Sequence, residues 1–235
     1  KPKCIIHSAG GTLIQHIKEH RYHCDMQEND RIMYFTTCGW MMWNWMVTAL
    51  ASKVTLVLYE GSPIFPNPLI LFEIAEKEKL SFFGASAKYI DSLNKLKIQP
   101  NKKNNYDKLR VFASTGSPLA PKSYDWVYSN VKKDLQLSSI SGGTDIVACF
   151  VHGNPCLPVK RGEIQCSSLG MDVQSWDDSG LRIFDLPGEL VCINSFPSIP
   201  LGFWNDEDNK KFKEAYFEKY NNCLLYTSPS PRDCT

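Results

Sequence analysis

The sequence predicts an α/β fold in which helices flank a parallel sheet and a β-rich subdomain follows. Short apolar runs, such as residues 54–59, alternate with helical periodicity over the first 150 residues. Nearly continuous apolar runs are typical of parallel strands that are covered on both faces. After Ile146, short strands separated by Gly, Pro and Asp replace this alternation, which indicates the β-rich part.

The elements of the α/β part follow one another in alternation. The predicted strands are residues 4–8, 32–36, 54–59, 81–84, 109–112 and 135–140, and the predicted helices are residues 11–20, 39–50, 68–79, 88–95 and 120–133. The helix over 39–50 is apolar nearly all round, which indicates burial in a core or against a ligand. The last of these helices has Pro121 in its first turn, where proline is well tolerated.

The remaining chain predicts four short strands and one helix. The strands are residues 162–166, 171–176, 180–184 and 188–193, and the helix is residues 206–220. We therefore expect three regions, which are 1–150, 151–222 and 223–235. The last region resembles the conceptual translation of a sequencing-library adapter, and the alternative is a natural Ser/Pro-rich tail.

Composition excludes several classes of protein. Of the 235 residues, 43% are hydrophobic and 22% charged, which is an ordinary globular balance. The net charge of +1 argues against a nucleic-acid partner. The apolar region 38–58 is interrupted by Asn44, Ser52 and Lys53, so we expect no membrane span. We expect a cytoplasmic protein, and because the chain does not begin with Met we expect a piece of a longer one. The oligomeric state is not predicted.

The nine cysteines include no CxxC spacing, which favours reduced thiols over disulfides. A zinc site is the alternative interpretation of one cluster, namely Cys149, His152, Cys156 and Cys166. The spacing of this cluster fits no compact pair of zinc ligands.

Two loops of small residues follow predicted strands. Residues 113–119 read Ala-Ser-Thr-Gly-Ser-Pro-Leu, and residues 141–145 read Ser-Gly-Gly-Thr-Asp. Both are expected at the carboxyl edge of the sheet, where open α/β sheets bind ligands. Taken singly, each loop could be an ordinary turn. In the second loop, Asp145 could then be a cap of the next segment. Their order and spacing favour a nucleotide site.

Further motifs lie before and after these two loops in the sequence. They are Lys1-Pro2-Lys3, Gly39-Trp40, Gly188-Glu189-Leu190 and Phe203-Trp204-Asn205-Asp206. Over about residues 1–220 the series resembles the adenylate-forming acyl-CoA synthetases, and within them the members that activate acetoacetate. The resemblance implies that the chain is part of the large N-terminal domain of such an enzyme.

The resemblance also implies a reaction. A carboxylate attacks the α-phosphate of ATP to give an acyl-adenylate and pyrophosphate, and coenzyme A then displaces AMP. The implied ligands are thus ATP, Mg²⁺, coenzyme A and acetoacetate. A ligase for acetate or another short acid and a non-catalytic nucleotide-binding module remain alternatives. A nicotinamide dehydrogenase is disfavoured, because no GxGxxG motif follows a strand. We expect the 235-residue chain alone to be inactive, because the glycine-rich phosphate loop and the C-terminal domain of the family are missing from it.

The resemblance assigns roles to particular residues. The implied catalytic residues are Lys3, Thr144 and Asp145, the implied nucleotide-binding residues are Gly116, Ser117, Pro118, Ser141, Gly143 and Thr144, and the implied acyl-binding residues are Trp40, Thr115 and Gly142. Lys3 would offset phosphate charge, Thr144 would bond an α-phosphate oxygen, and Asp145 would serve Mg²⁺. Many relatives have an acidic residue in place of Ser117 and a glutamate in place of Asp145. Acetate-using relatives have a tryptophan where this chain has Gly142, so we expect Gly142 to leave the acyl pocket open.

Overall fold

A computed structural model describes residues 4–220 and 224–225, so Lys3 lies outside the described residues, as does most of the predicted tail. The chain divides into two compact units. The α/β unit comprises Ile17–Ser141 and His152–Cys166, and the β-rich unit comprises the described residues of Lys1–His16, Gly142–Val151 and Ser167–Thr235. The boundary expected after residue 150 falls inside the strand Ala148–His152.

The strands and helices are short. The strands are β1 (Ile5–Ile6), β2 (Arg31–Tyr34), β3 (Thr55–Leu56), β4 (Phe82–Ser86), β5 (Val111–Thr115), β6 (Gln136–Ser139), β7 (Ser141–Gly143), β8 (Ala148–His152), β9 (Cys166–Ser167), β10 (Val173–Trp176), β11 (Arg182–Ile183), β12 (Glu189–Cys192), β13 (Gly202–Phe203) and β14 (Leu224–Leu225). The α-helices are α1 (Ala9–Lys18), α2 (Met41–Thr48), α3 (Ile70–Lys77), α4 (Ala87–Lys95), α5 (Pro121–Asn130) and α6 (Lys210–Phe217).

The α/β unit is built on a five-stranded sheet with the order β3-β2-β4-β5-β6. Every neighbouring pair in it is parallel, as the apolar runs of the sequence predict. Two consecutive residues of β4 show that both faces are covered, because side chains along a strand alternate between faces. The Phe82 ring lies 5.7 Å from the ring of Trp45 in α2, whereas the Phe83 ring lies 5.3 Å from that of Phe72 in α3. Helices therefore flank the sheet on both sides.

The β-rich unit has its own core, formed by Ile146, Ala148, Phe150, Met171, Cys192, Phe196, Tyr216 and Leu224. Its antiparallel sheet has the order β11-β10-β12-β14, and β1 pairs with β13. Glu189 is the first residue of β12 and accepts a hydrogen bond from Lys219 at 2.9 Å. The described residues include no helix long and apolar enough to cross a membrane.

The predicted strand over 4–8 belongs to the β-rich unit as β1 rather than to the α/β part, and the ends of most predicted elements shift by a few residues. Three further predicted segments differ from the structure. Strand β5 runs on to Thr115, so the first loop begins at Gly116 rather than at residue 113. The expected loop at 141–145 is wrong in its first half, because residues Ser141–Gly143 form β7, which pairs with β8. The expected strand over 162–166 is also wrong, since only its last residue belongs to a strand, β9.

The α/β unit buries two histidines whose rings lie 4.7 Å apart, His23 and His152. The His23 Nδ1 donates to the Gly153 carbonyl at 2.7 Å, and the Gly153 N–H donates to the His152 Nδ1 at 3.0 Å. Burial lowers the pKa of both imidazoles, and for His152 the nearby His23 and Lys18 lower it further. Burial therefore favours the neutral form of both rings in the folded chain.

We expect the protein to lose stability as the pH falls from 7.5 to 5.5. Histidine in an unfolded chain titrates near pH 6.5, so the unfolded state takes up protons in this range before the folded state does. The stabilisation by neutral His23 and His152 is complete above the unfolded pKa and is lost as the pH falls below it. Thermal unfolding at several pH values measures this effect. The variant His152→Asn, which keeps an acceptor for the Gly153 N–H, should show a shallower pH dependence, and an unchanged slope would contradict the assignment.

Candidate functional site

The first predicted loop begins where β5 ends. Thr115, the last residue of β5, donates its hydroxyl hydrogen to the Ile140 carbonyl at 2.9 Å, and the Ile140 N–H donates to the Ser114 carbonyl at 2.9 Å. The end of β5 is thus fixed to the residue that follows β6. The Thr115 hydroxyl is engaged in this bond, and its role toward an acyl group stays a prediction.

Gly116 has a positive φ of +87°, a conformation that residues with a side chain rarely adopt. A Cβ at this position would lie 3.5 Å from the Trp40 ring, which is ordinary van der Waals contact. The backbone conformation, rather than lack of space, therefore requires glycine here. Beyond it, Ser117 is half-buried and Pro118 is exposed, while Leu119 is buried in the core and anchors the end of the loop.

Trp40 lies beside this loop, at the position before α2. Its ring packs edge-on against that of Tyr34, with the centroids 5.8 Å apart. The side chain is half-buried. The structure thus brings together two residues that the sequence placed in different parts of the site, Trp40 of the acyl pocket and Gly116 of the nucleotide loop. Trp40 thus contacts the core and borders the loop, and its role toward an acyl group stays a prediction.

Gly142 lies in β7, where the backbone of β8 approaches closely. A Cβ on Gly142 would lie 2.1 Å from the Ala148 carbonyl oxygen and 2.5 Å from the Cys149 Cα. Real Cβ atoms do not come so close to backbone, so this position demands glycine. Gly142 was expected to leave the acyl pocket open. This expectation is wrong for the volume that a side chain at this position would occupy, because the backbone of β8 already fills it. Its neighbours Ser141 and Gly143 are half-buried.

Thr144 and Asp145 form the turn that leaves β7. The turn Thr144–Ile146 is a single 3₁₀ turn, and Val147 ends it in the left-handed conformation, with φ of +51°. Thr144 is exposed and Asp145 is half-buried. The Tyr216 hydroxyl of α6 donates to the Asp145 Oδ2 at 2.6 Å. Burial, and the hydrogen bond to this carboxylate, raise the pKa of Tyr216 far above its usual range, so the phenol stays neutral and serves as a donor.

His7 also lies near the turn. It follows β1, beside the backbone of Ser198 and of Asp145. Burial lowers the pKa of His7, while these two backbone groups and the Asp145 carboxylate oppose the shift. Neither His7 nor Tyr216 was predicted here, because both are brought to Asp145 by pairing and packing between segments remote in sequence.

The oxygen atoms of this turn suit a hard cation. Mg²⁺ in nucleotide sites is commonly held by one or two carboxylates together with substrate phosphates and water. Asp145 supplies a carboxylate and Thr144 a hydroxyl, so the donor set fits Mg²⁺.

The chain matches a known class of protein. Residues 1–196 match the family described as AMP-binding enzyme, and the chain belongs to this family.

Curated relatives carry more specific names. The chain is 53% identical over 221 residues to the acetoacetyl-coenzyme A synthetase of Rhizobium meliloti (strain 1021), covering 94% of this chain and 34% of that protein. It is 48% identical over 219 residues to the acetoacetyl-CoA synthetase of Gallus gallus, covering 93% and 33%. A solved structure, the acetoacetyl-CoA synthetase from Streptomyces lividans, has 41% identity and a TM-score of 0.90 over 95% of this chain and 35% of that one. The chain thus spans about a third of the length of these relatives.

Proposed function

We propose that this chain forms part of an ATP-dependent acid–thiol ligase that activates acetoacetate as an acyl-adenylate and transfers it to coenzyme A. The similarity to acetoacetyl-CoA synthetases, at 41–53% identity over nearly all of the chain, carries this proposal. The match to the AMP-binding enzyme family supports the adenylate chemistry.

Catalysis in this reaction comes from positioning the reactants and offsetting charge on the phosphates. The backbone at Gly116, Ser117 and Pro118 borders the adenine. Ser141 and Gly143 belong to the second segment that contacts the nucleotide. The exposed Thr144 hydroxyl donates to an α-phosphate oxygen. Mg²⁺, when bound, neutralises phosphate charge, and Asp145 provides its carboxylate ligand. Lys3 would offset further phosphate charge.

The choice of acetoacetate rests on the relatives. Gly142 supplies no open space toward β8, so the glycine does not by itself explain room for a longer acid. Trp40 and Thr115 remain proposed acyl-binding residues, and Trp40 is the better supported because its half-buried ring borders the Gly116 loop.

The proposal includes a cytosolic location. All seven cysteines of the described residues are free thiols, which supports a reducing compartment.

Acid-dependent exchange of pyrophosphate into ATP tests the proposed function. We expect a full-length protein that contains this chain to catalyse exchange with acetoacetate, with kcat/KM about tenfold higher than with acetate, since small differences in an acyl group are worth about 1–3 kcal/mol. Preference for acetate would indicate a short-chain ligase instead. ATP binding without exchange for any acid would indicate a nucleotide-binding module.

A further inference from the structure

We propose that Tyr216 is a positioning residue, whose hydroxyl holds the Asp145 carboxylate in the orientation in which it serves the divalent cation of the bound nucleotide. This inference rests on the proposed function, and it adds a residue to which no role in the reaction has been given.

The first observation is that the Tyr216 ring is itself fixed. The residue is 1% exposed, within the core of the β-rich unit. The rings of Phe203 and Phe212 lie 5.7 and 5.3 Å from the Tyr216 ring, both in edge-on contact. A side chain packed in this way has little rotational freedom, so its hydroxyl occupies a defined point in space.

The second observation is the kind of bond it makes. The O–H···O distance of 2.6 Å to the Asp145 Oδ2 is in the range of charge-assisted hydrogen bonds to an ionised carboxylate.

The third observation is where Asp145 sits. It lies on a single 3₁₀ turn rather than within a long element, and the residue is half-buried. Hydrogen bonds from neighbouring residues orient metal-binding carboxylates, and their loss typically weakens metal binding about 10–100-fold.

The test compares two tyrosines of the β-rich unit in the full-length protein. Tyr216→Phe removes the hydroxyl that reaches Asp145. Tyr220→Phe is the matched control, because the Tyr220 hydroxyl, in a residue that is 4% exposed, donates to the Asp177 carbonyl at 2.8 Å. Mn²⁺ is the probe, and electron paramagnetic resonance measures its binding in the presence of ATP.

We expect Tyr216→Phe to weaken Mn²⁺ binding about 10-fold or more and Tyr220→Phe to leave it within about twofold. Asp145→Asn should weaken binding as much, and Tyr216→Phe should add nothing in that background, because the two residues act through one carboxylate. Equal effects of the two tyrosine variants, or an undiminished effect of Tyr216→Phe in the Asp145→Asn background, would overturn the proposal.

A second measurement does not depend on the folding of the phenylalanine variant. With 3-fluorotyrosine at position 216, the ¹⁹F resonance should shift on Asp145→Asn and on addition of Mg²⁺ and ATP. A resonance that responds to neither would overturn the positioning role.

These readouts separate the inference from the proposed function. Wild-type protein that binds Mn²⁺ and ATP but exchanges pyrophosphate with no acid would disprove the ligase and leave the positioning role standing. Active wild-type protein with unchanged Mn²⁺ binding in Tyr216→Phe would disprove the positioning role alone. No Mn²⁺ binding with ATP by the wild type would overturn both.

Discussion

Gly142→Ala is expected to lower the free energy of unfolding by about 3 kcal/mol, the upper end of the usual cost of overpacking. The added Cβ would lie 2.1 Å from the Ala148 carbonyl oxygen. This atom belongs to the backbone, so it cannot be relieved by rotating a side chain. Strands β7 and β8 would have to separate. Thermal and urea unfolding of the wild type and the variant measure the effect.

Gly10→Ala is the matched control, since nothing lies within 4 Å of a Cβ at Gly10 in α1. Replacing a helical glycine with alanine is expected to be neutral or to stabilise by up to about 1 kcal/mol. If Gly142→Ala is as stable as the wild type, the close approach of β7 and β8 is incorrect. Gly142→Trp would displace β8 for the same reason as Gly142→Ala. We therefore expect acetoacetate turnover and ATP binding to be lost together in this variant.

Asp145→Asn is expected to reduce acid-dependent pyrophosphate exchange at least about 100-fold, which corresponds to about 2.7 kcal/mol of transition-state stabilisation. Asparagine keeps the shape of the side chain and an acceptor for the Tyr216 hydroxyl but removes the negative charge that a cation requires. The thermal unfolding temperature should change by only a few degrees, because the fold keeps its contacts.

Asp178→Asn serves as the comparison for this variant. The Asp178 side chain is 96% exposed and pairs with Lys219, and exposed ion pairs contribute little. Its exchange rate should remain within about twofold of the wild type. Exchange by Asp145→Asn at more than a third of the wild-type rate would show that this carboxylate is not needed for adenylation.

Local patterns in the sequence predicted the parallel sheet and the helices around it. Strands β4 and β5 begin with short apolar runs that can be recognised without knowing their partners, and adjacent phenylalanines fill the two faces of β4. Gly116 was singled out from the sequence as a residue of the first loop, and its φ of +87° is the structural reason for glycine there.

The features that were missed depend on remote partners. Ser141-Gly142-Gly143 has the composition of a turn, and only the approach of β8 makes it a strand. Tyr216 and Asp145 are 71 residues apart, and no periodicity relates α6 to the turn after β7. Gly142 was expected to leave the acyl pocket open, but the backbone of the neighbouring strand β8 is what requires glycine at this position.

The conformation at Gly116 also determines how this loop can diverge among related enzymes. With φ of +87°, most substitutions at Gly116 are costly whether or not a ligand is present. Ser117 and Pro118 are half-buried and exposed, with φ angles that other residues can adopt. Substitutions can therefore accumulate after the glycine, so the two residues proposed to border the adenine can change while the end of β5 stays unchanged.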